Sequence, residues 1–229
     1  MFERDIWLTD VLRYPCYKLQ SQVKSNFNDL KVTQAKGLYQ AKVATSCKEL
    51  IKYLYSNYFK VIDFQLKFQS ESINRKCFKV NSKKYTISLA EENQIKILQN
   101  IASASFRNFR LGKIGHFSEL DMKIMWSKWL HDAYIDPFRK VIVISEGAKV
   151  LGFIIIKLGD KTQIDLLAID PNSRGKGIAH QLIYSIKRFQ PESKTVELFC
   201  ETHNLPAFNL YISSGFEVRE SYVILAKYK

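Results

Sequence analysis

Between Ile164 and Ala179 the chain reads Ile-Asp-Leu-Leu-Ala-Ile-Asp-Pro-Asn-Ser-Arg-Gly-Lys-Gly-Ile-Ala, an apolar strand followed by a loop and a Gly-rich turn that opens a helix. Gly175 and Gly177 carry no side chains, so the backbone there can approach a ligand closely and adopt positive φ. The amides of a first helical turn have no intrahelical partner, and with the helix dipole they form a site suited to a diphosphate. Arg174 and Lys176 add positive charge beside it. Two common phosphate loops do not fit. The Gly-x-x-x-x-Gly-Lys-Ser/Thr pattern is absent, and Gly-x-Gly-x-x-Gly fails because His180 stands at the third glycine position.

Arg174-Gly-Lys-Gly-Ile-Ala179 resembles the Gln/Arg-x-x-Gly-x-Gly/Ala pyrophosphate loop of the GNAT acetyltransferases. Asn204-Leu-Pro-Ala207-Phe-Asn-Leu-Tyr211-Ile-Ser-Ser-Gly215-Phe216 is similar to the same family's Asn-x-x-Ala-x-x-x-Tyr-x-x-x-Gly-Phe. Two motifs in the right order are far more specific than a bare Gly-x-Gly. The resemblance implies an α/β fold whose central sheet is mixed, mostly antiparallel, splayed between two strands and flanked by helices. It implies acetyl-CoA as co-substrate and no metal. Leu167, Ala168 and Ile169 would offer backbone groups to the pantetheine arm. Arg174, Gly175, Lys176, Gly177, Ile178 and Ala179 would surround the diphosphate, and Asn204 and Ala207 would meet the arm. Tyr211 would protonate the leaving thiolate. The plain structural roles are an N-cap for Asn204 and a core aromatic for Tyr211.

The chemistry sets what the site must supply. An amine attacks the thioester carbonyl and the tetrahedral intermediate expels a thiolate, so the reactants must be aligned, the carbonyl polarised and the sulfur given a proton. The base for the amine is not evident. Asp165, which shares a strand face with Gln163, is one candidate; Glu201, His203 and loss of the proton to water are others.

The elements that would position these groups follow from periodicity. Strands are expected over Cys16–Leu19, Leu38–Val43 and Phe59–Phe68, the last alternating between Val61, Asp63, Gln65, Lys67 and an apolar set of Ile62, Phe64, Leu66, Phe68. A helix from Ser46 would be capped by Ser46 and Glu49. The polar stretch Gln69–Lys84 reads as a linker or hairpin, dividing an α/β N-terminal domain (1–82) from an acetyltransferase domain (83–229). Next come a strand near Tyr85–Leu89, a helix over Glu91–Ser105, and a helix capped by Ser118 with Met122, Met125, Trp126, Trp129, Leu130 and Ala133 as its buried stripe. Strands over Lys140–Ile144, Val150–Leu158 and Thr162–Ile169 follow, turning at Glu146-Gly147 and Gly159-Asp160. A helix over Gly177–Arg188, a strand over Thr195–Cys200, a short helix over Leu205–Ser213 and a strand over Tyr222–Tyr228 complete the chain.

Composition narrows the partners. The 229 residues are 46% hydrophobic and carry a formal charge of +13. Such a chain suits polyanionic ligands, yet no dense basic run appears beyond Asn74-Arg75-Lys76 and Ser82-Lys83-Lys84, and no basic–aromatic interleaving marks a nucleic-acid binder. The four cysteines (Cys16, Cys47, Cys77, Cys200) and four histidines (His116, His131, His180, His203) are scattered, which suggests neither a metal site nor a disulfide framework. With no signal-like or membrane-spanning apolar segment, a cytoplasmic protein with free thiols and no membrane insertion is expected.

For the acceptor, the order Trp7…Tyr14-Pro-Cys-Tyr17-Lys-Leu19, Tyr58-Phe-Lys-Val-Ile-Asp63, Ala102-Ser-Ala-Ser-Phe-Arg-Asn-Phe109 and Phe117…Met125-Trp-Ser-Lys-Trp129-Leu looks like the bacterial TDP-fucosamine acetyltransferases. That resemblance implies a dTDP- or UDP-linked 4-amino-4,6-dideoxyhexose as acceptor, in the biosynthesis of O-antigen or other lipopolysaccharide, and by analogy a homodimer. Here Arg107-Asn-Phe109 stands where that family often has Ser-Arg-Phe, and Tyr58 where Gly often precedes the Phe. Alternatives are acetylation of a protein N-terminus, lysine or other small amine, and a non-catalytic binding or regulatory role on the same scaffold.

Overall fold

The computed structural model describes residues 2–20, 35–71, 84–106, 111–114 and 117–229. Most of the expected linker, the 82/83 boundary, Asn74–Lys76, Cys77, His116 and Arg107–Phe109 lie outside them.

Among the described residues the strands are β1 (Phe2–Arg4), β2 (Cys16–Leu19), β3 (Leu38–Ala44), β4 (Lys60–Ser70), β5 (Thr86–Leu89), β6 (Arg139–Glu146), β7 (Lys149–Lys157), β8 (Thr162–Ile169), β9 (Val196–Glu201) and β10 (Glu217–Tyr228). The helices are α1 (Ile6–Leu12), α2 (Lys48–Ser56), α3 (Ile95–Ser105), α4 (Glu119–Ile135), α5 (Ile178–Phe189) and α6 (Leu205–Ser213). The ten strands form one sheet in the order β1-β2-β3-β10-β4-β9-β8-β7-β6-β5, parallel only at β2–β3 and β8–β9.

The central strands are near-continuous Val/Ile runs because helices cover both faces. Alternate side chains serve opposite cores. Val141, Val143, Phe153 and Ile155 pack with Leu98, Ile101, Met125 and Leu130 of α3 and α4. Ile142, Ile144, Ile154 and Ile156 pack with Leu182, Ile183 and Ile186 of α5. A third core joins Tyr39, Ala41 and Val43 of β3 to Leu50 and Leu54 of α2 and to Val223 and Leu225 of β10.

The feature that creates a site is the contact between β8 and β9. They pair only at Thr162↔Val196, Gln163↔Glu197 and Ile164↔Leu198. From Asp165 onward β8 keeps β7 on one side, while β9 pairs with β4 on its other side. The divergence coincides with a bulge. Ile156 faces Ile164 and Ile155 faces Leu166, so Asp165 is the extra residue. A bulge bends its strand, and here it also moves the buried side chains from the α5 core (Ile164) to the α3–α4 core (Leu166, Ala168).

Several expectations are corrected. The helix α1 covers Ile6–Leu12, where no element was expected; Asp5 caps it by accepting from the Leu8 amide. The cap of α2 is Cys47, with no side-chain capping bond, so the Ser46/Glu49 box does not form. Ser118 does cap α4, in a box with Asp121. On β4 the alternation is inverted locally: Asp63 and Gln65 are buried and Phe64 is exposed. The register against β10 slips between Asp63 and Val61, and β4 lies inside the sheet between β9 and β10. The last strand begins at Glu217, because β4 gives its polar first residues a ladder partner.

Burial gives the fold an alkaline limit. It pushes the thiols of Cys16 and Cys200 from 9.0 up to about 12, and raises the phenols of Tyr211, Tyr222 and Tyr228 above 10.0. Below pH 9 folded and unfolded chains hold these protons alike. Above it the unfolded chain releases protons that the folded chain retains, so stability falls as pH rises. Urea midpoints at pH 7, 9 and 10.5 are expected to be similar at the first two and clearly lower at the third. A midpoint that holds at pH 10.5 would contradict this.

Candidate active site

Two adjoining cavities open where β8 leaves β9. The first, about 480 Å³, is lined by Leu167, Ala168 and Ile169 of β8, by Arg174, Gly175, Gly177, Ile178, Ala179 and His180 at the start of α5, and by Asn204 and Ala207 of α6. The second, about 400 Å³, is lined by Gln163, Asp165, Cys200, Glu201 and Tyr211, with Arg139, Trp126 and Trp129 opposite. Phe106, Leu167, Asn204, Ala207 and Leu210 line both.

One end of the first cavity is the start of α5. Gly177 is the N-cap of α5 with φ of +72°, and no side chain caps the helix. Gly175 has φ of +75°. A Cβ placed on either residue would meet no atom within 4 Å, so both glycines face open space that a ligand can fill. Non-glycine residues adopt such φ values only at a cost. Arg174 spans the cavity wall: Nε donates to the Ile169 carbonyl at 3.2 Å and a terminal nitrogen to Ser105 Oγ at 3.1 Å. Its charge therefore stays beside the helix start. Lys176 points elsewhere, donating to the Asn172 carbonyl at 3.4 Å, and does not line the cavity.

The open edge of β8 supplies the other end. The Asp170 amide donates to the Leu151 carbonyl. By ladder alternation Ala168 also turns its backbone groups to β7, and Leu167 and Ile169 turn theirs into the gap. Of the three residues expected to offer backbone groups there, Leu167 and Ile169 are directed to do so and Ala168 is not. The Ile169 carbonyl is already used by Arg174.

Asn204 takes the N-cap role, its Oδ1 accepting from the Ala207 amide at 3.3 Å, while still lining both cavities. Tyr211 is held by ring contacts with Phe68 and Phe216. Burial raises its pKa, helped by Cys200 and Glu201, so the phenol keeps its proton throughout the neutral range. The Cys200 thiol, pushed up to about 12 by burial and then by Glu201, is no thiolate nucleophile at neutral pH.

The base candidates separate. Asp165 accepts from Gln163 Nε2 at 2.8 Å on one oxygen and from Arg139 Nε at 2.8 Å on the other, and Arg139 also pairs with Asp136. Glu201 lines the cavity and accepts from Gln65 Nε2 at 3.2 Å. His203 sits 3.4 Å from Asp63 and lines neither cavity.

Sequence reasoning missed Ser105, Phe106 and His180. His180, at the failed third-glycine position, is hydrogen-bonded with Ser213 Oγ at 3.0 Å, and burial lowers its pKa, which favours the neutral ring. Among the described residues no group of three or more His, Cys, Asp or Glu could hold a metal, and no helix is long and apolar enough to cross a membrane.

A sheet opened beside an uncapped, glycine-started helix is the central feature of this fold. A model of the acetyltransferase (GNAT) family matches residues 97–216, more than half of the chain, and the chain belongs to that family. It is 26% identical over 136 residues to the spore coat polysaccharide biosynthesis protein SpsD of Bacillus subtilis (strain 168), covering 58% of this chain and 47% of that protein. It is 27% identical over 130 residues to the putative [ribosomal protein bS18]-alanine N-acetyltransferase of the same organism, covering 52% and 86%. The chain thus spans about half the length of SpsD. Its fold is shared with a functionally unknown conserved protein from Staphylococcus epidermidis ATCC 12228 (TM-score 0.63, 15% identity, 97% of this chain and 88% of that one). A GCN5-related N-acetyltransferase from Sphaerobacter thermophilus also shares it (TM-score 0.62, 14% identity, 85% and 60%).

Proposed function

We propose that the chain is a cytoplasmic acetyltransferase that moves the acetyl group of acetyl-CoA to the amine of a nucleotide-linked 4-amino-4,6-dideoxyhexose, by direct attack, for cell-surface polysaccharide. The observation that carries this is the meeting of the two cavities at Leu167, Asn204 and Ala207: one fits a diphosphate and its arm, the other holds a protonated phenol. Gly175, Gly177 and the first α5 amides would hold the diphosphate, with Arg174 beside them, and the Leu167 edge would take the arm. When bound, acetyl-CoA supplies an activated acyl group. The amine nitrogen gains the acetyl carbon, the carbon–sulfur bond breaks, the sulfur takes the phenolic proton of Tyr211, and the nitrogen's proton passes to Glu201 and returns through solvent to the Tyr211 phenolate. Asp165, held on both oxygens, fixes Arg139 and Gln163 in the wall. The high pKa of Cys200 disfavours an acyl-cysteine route.

The polysaccharide context of SpsD supports the sugar acceptor, and the charge of +13 suits two anionic substrates. Thiol release from acetyl-CoA with a panel of dTDP- and UDP-linked amino sugars, set against alanine-starting peptides, is the test. Release with the amino sugars is expected; release with peptides only would overturn the acceptor assignment.

A further inference from the structure

A third cavity, about 700 Å³ and larger than either of the two described, lies between α1, β2, β3, α4 and β10. It shares Lys42, Trp129 and Phe199 with the cavity that holds Tyr211, so these three residues form a neck between the two spaces. We infer that the nucleoside diphosphate of the acceptor occupies this cavity, with its diphosphate at Lys42 and its sugar amine passing through the neck toward Tyr211. The inference rests on the nucleotide-sugar reading above and adds where, and by what residues, that nucleotide is recognised.

The lining suits such a group. Its volume falls in the range of small-molecule sites, which combine aromatic walls with a few polar groups. Trp7 and Trp129 stand edge to face at 5.5 Å and offer indole surface to a planar base. Indole N–H of Trp7 donates to Asp132 at 2.7 Å, which fixes that ring. The carboxamide of Gln40 can give and accept a hydrogen bond on the edge of a pyrimidine, while Gln20 Nε2 donates to Glu3 at 3.0 Å. Lys18, which pairs with Glu3 at 3.8 Å, and Lys42 are the cations in the wall. The two acids there are engaged with groups of the protein: Asp5 caps α1, and Glu220 accepts from the Tyr222 hydroxyl at 2.6 Å, pairs with Lys67 at 3.4 Å and also feels the charge of Lys42. Lys42 places its ammonium 3.0 Å from the Phe199 ring centre and 4.6 Å from that of Tyr222, so its stem is steered to the neck.

The site also explains a division of labour in the sequence. The cofactor groove is written in residues 163–215, whereas the neck and the large cavity draw on Trp7, Gln40, Lys42 and Trp129, which have no motif in common. An acceptor cavity assembled from separate segments can be altered without touching the acetyl-CoA groove.

The test uses the full chain, with dTDP and UDP as probes. On the wild-type protein each free nucleoside diphosphate is expected to quench tryptophan fluorescence and to inhibit competitively against the amino-sugar acceptor, but not against acetyl-CoA. In Lys42→Ala, which loses a charge-assisted contact, the KM for the acceptor is expected to rise by about tenfold or more, and in Gln40→Ala, which loses a neutral hydrogen bond, by about two- to tenfold. Acetyl-CoA affinity by calorimetry is expected to stay unchanged, which also reports that the variants are folded. Amino sugars acetylated with wild-type KM in both variants, and no competition by dTDP or UDP, would overturn this placement while leaving the reaction intact. Failure of every nucleotide-linked amine as substrate would overturn placement and reaction together.

Discussion

Tyr211→Phe is expected to lower kcat by about 10²–10⁴-fold, the usual loss when a general acid is removed. The substitution keeps the ring that packs between Phe68 and Phe216 and removes only the hydroxyl. Folding and acetyl-CoA affinity are therefore expected to hold, and the loss to fall on kcat rather than on KM for acetyl-CoA. The phenol is suited to the task because burial keeps it protonated well above neutral pH. Conversely it should impose no alkaline limb on kcat near neutrality. Steady-state rates for both proteins with a saturating acceptor decide the matter, and an unchanged kcat would remove Tyr211 from the mechanism.

Gly177→Val is expected to weaken acetyl-CoA binding by about 10- to 100-fold. The strain acts on the stability of the turn, and the added side chain acts on affinity. A β-branched residue at φ of +72° is strained, by about 1–2 kcal/mol relative to glycine. Its side chain also enters the space that the glycine leaves open at the helix start. If that displaces the diphosphate from one charge-assisted amide contact, about 1.5–3 kcal/mol is lost, which sets the expected range. Gly177→Ala should lie between wild type and valine. Calorimetric titration of the three proteins with acetyl-CoA, after circular dichroism confirms their fold, measures the series. Equal affinities would show that the turn is not the diphosphate cradle.

The local structure of the candidate groove was legible in the sequence because its parts are local. A strand, a glycine turn and a helix start lie within sixteen consecutive residues, and their conformations follow from residue type. Gly175 and Gly177 do take positive φ, Asn204 does cap its helix, and Thr162–Ile169 is a strand with the expected ends. What stayed hidden depends on pairing between distant segments. That β4 would lie between β9 and β10 is fixed by cross-strand partners more than a hundred residues away. Hence the burial of Asp63 and Gln65 and the exposure of Phe64 could not be read from alternation. The bulge at Asp165 likewise arises from the register against β7 and has no residue signature. At Ser46 the rule favoured a capping box, but the backbone enters α2 one residue later. Trp129 was expected in the core stripe of α4; it is only half-buried and lines two cavities. Phe106 and Lys42 reach the site from α3 and β3, and nothing in their neighbours marks them.

The most direct test of the groove is hydrogen–deuterium exchange of the wild-type chain with and without saturating acetyl-CoA. The expected result is slowed exchange at the amides of Leu167 and Ile169 and across Gly175–His180, with β3 and β10 unaffected. Exchange in both segments that is identical with and without acetyl-CoA would contradict the proposed binding site.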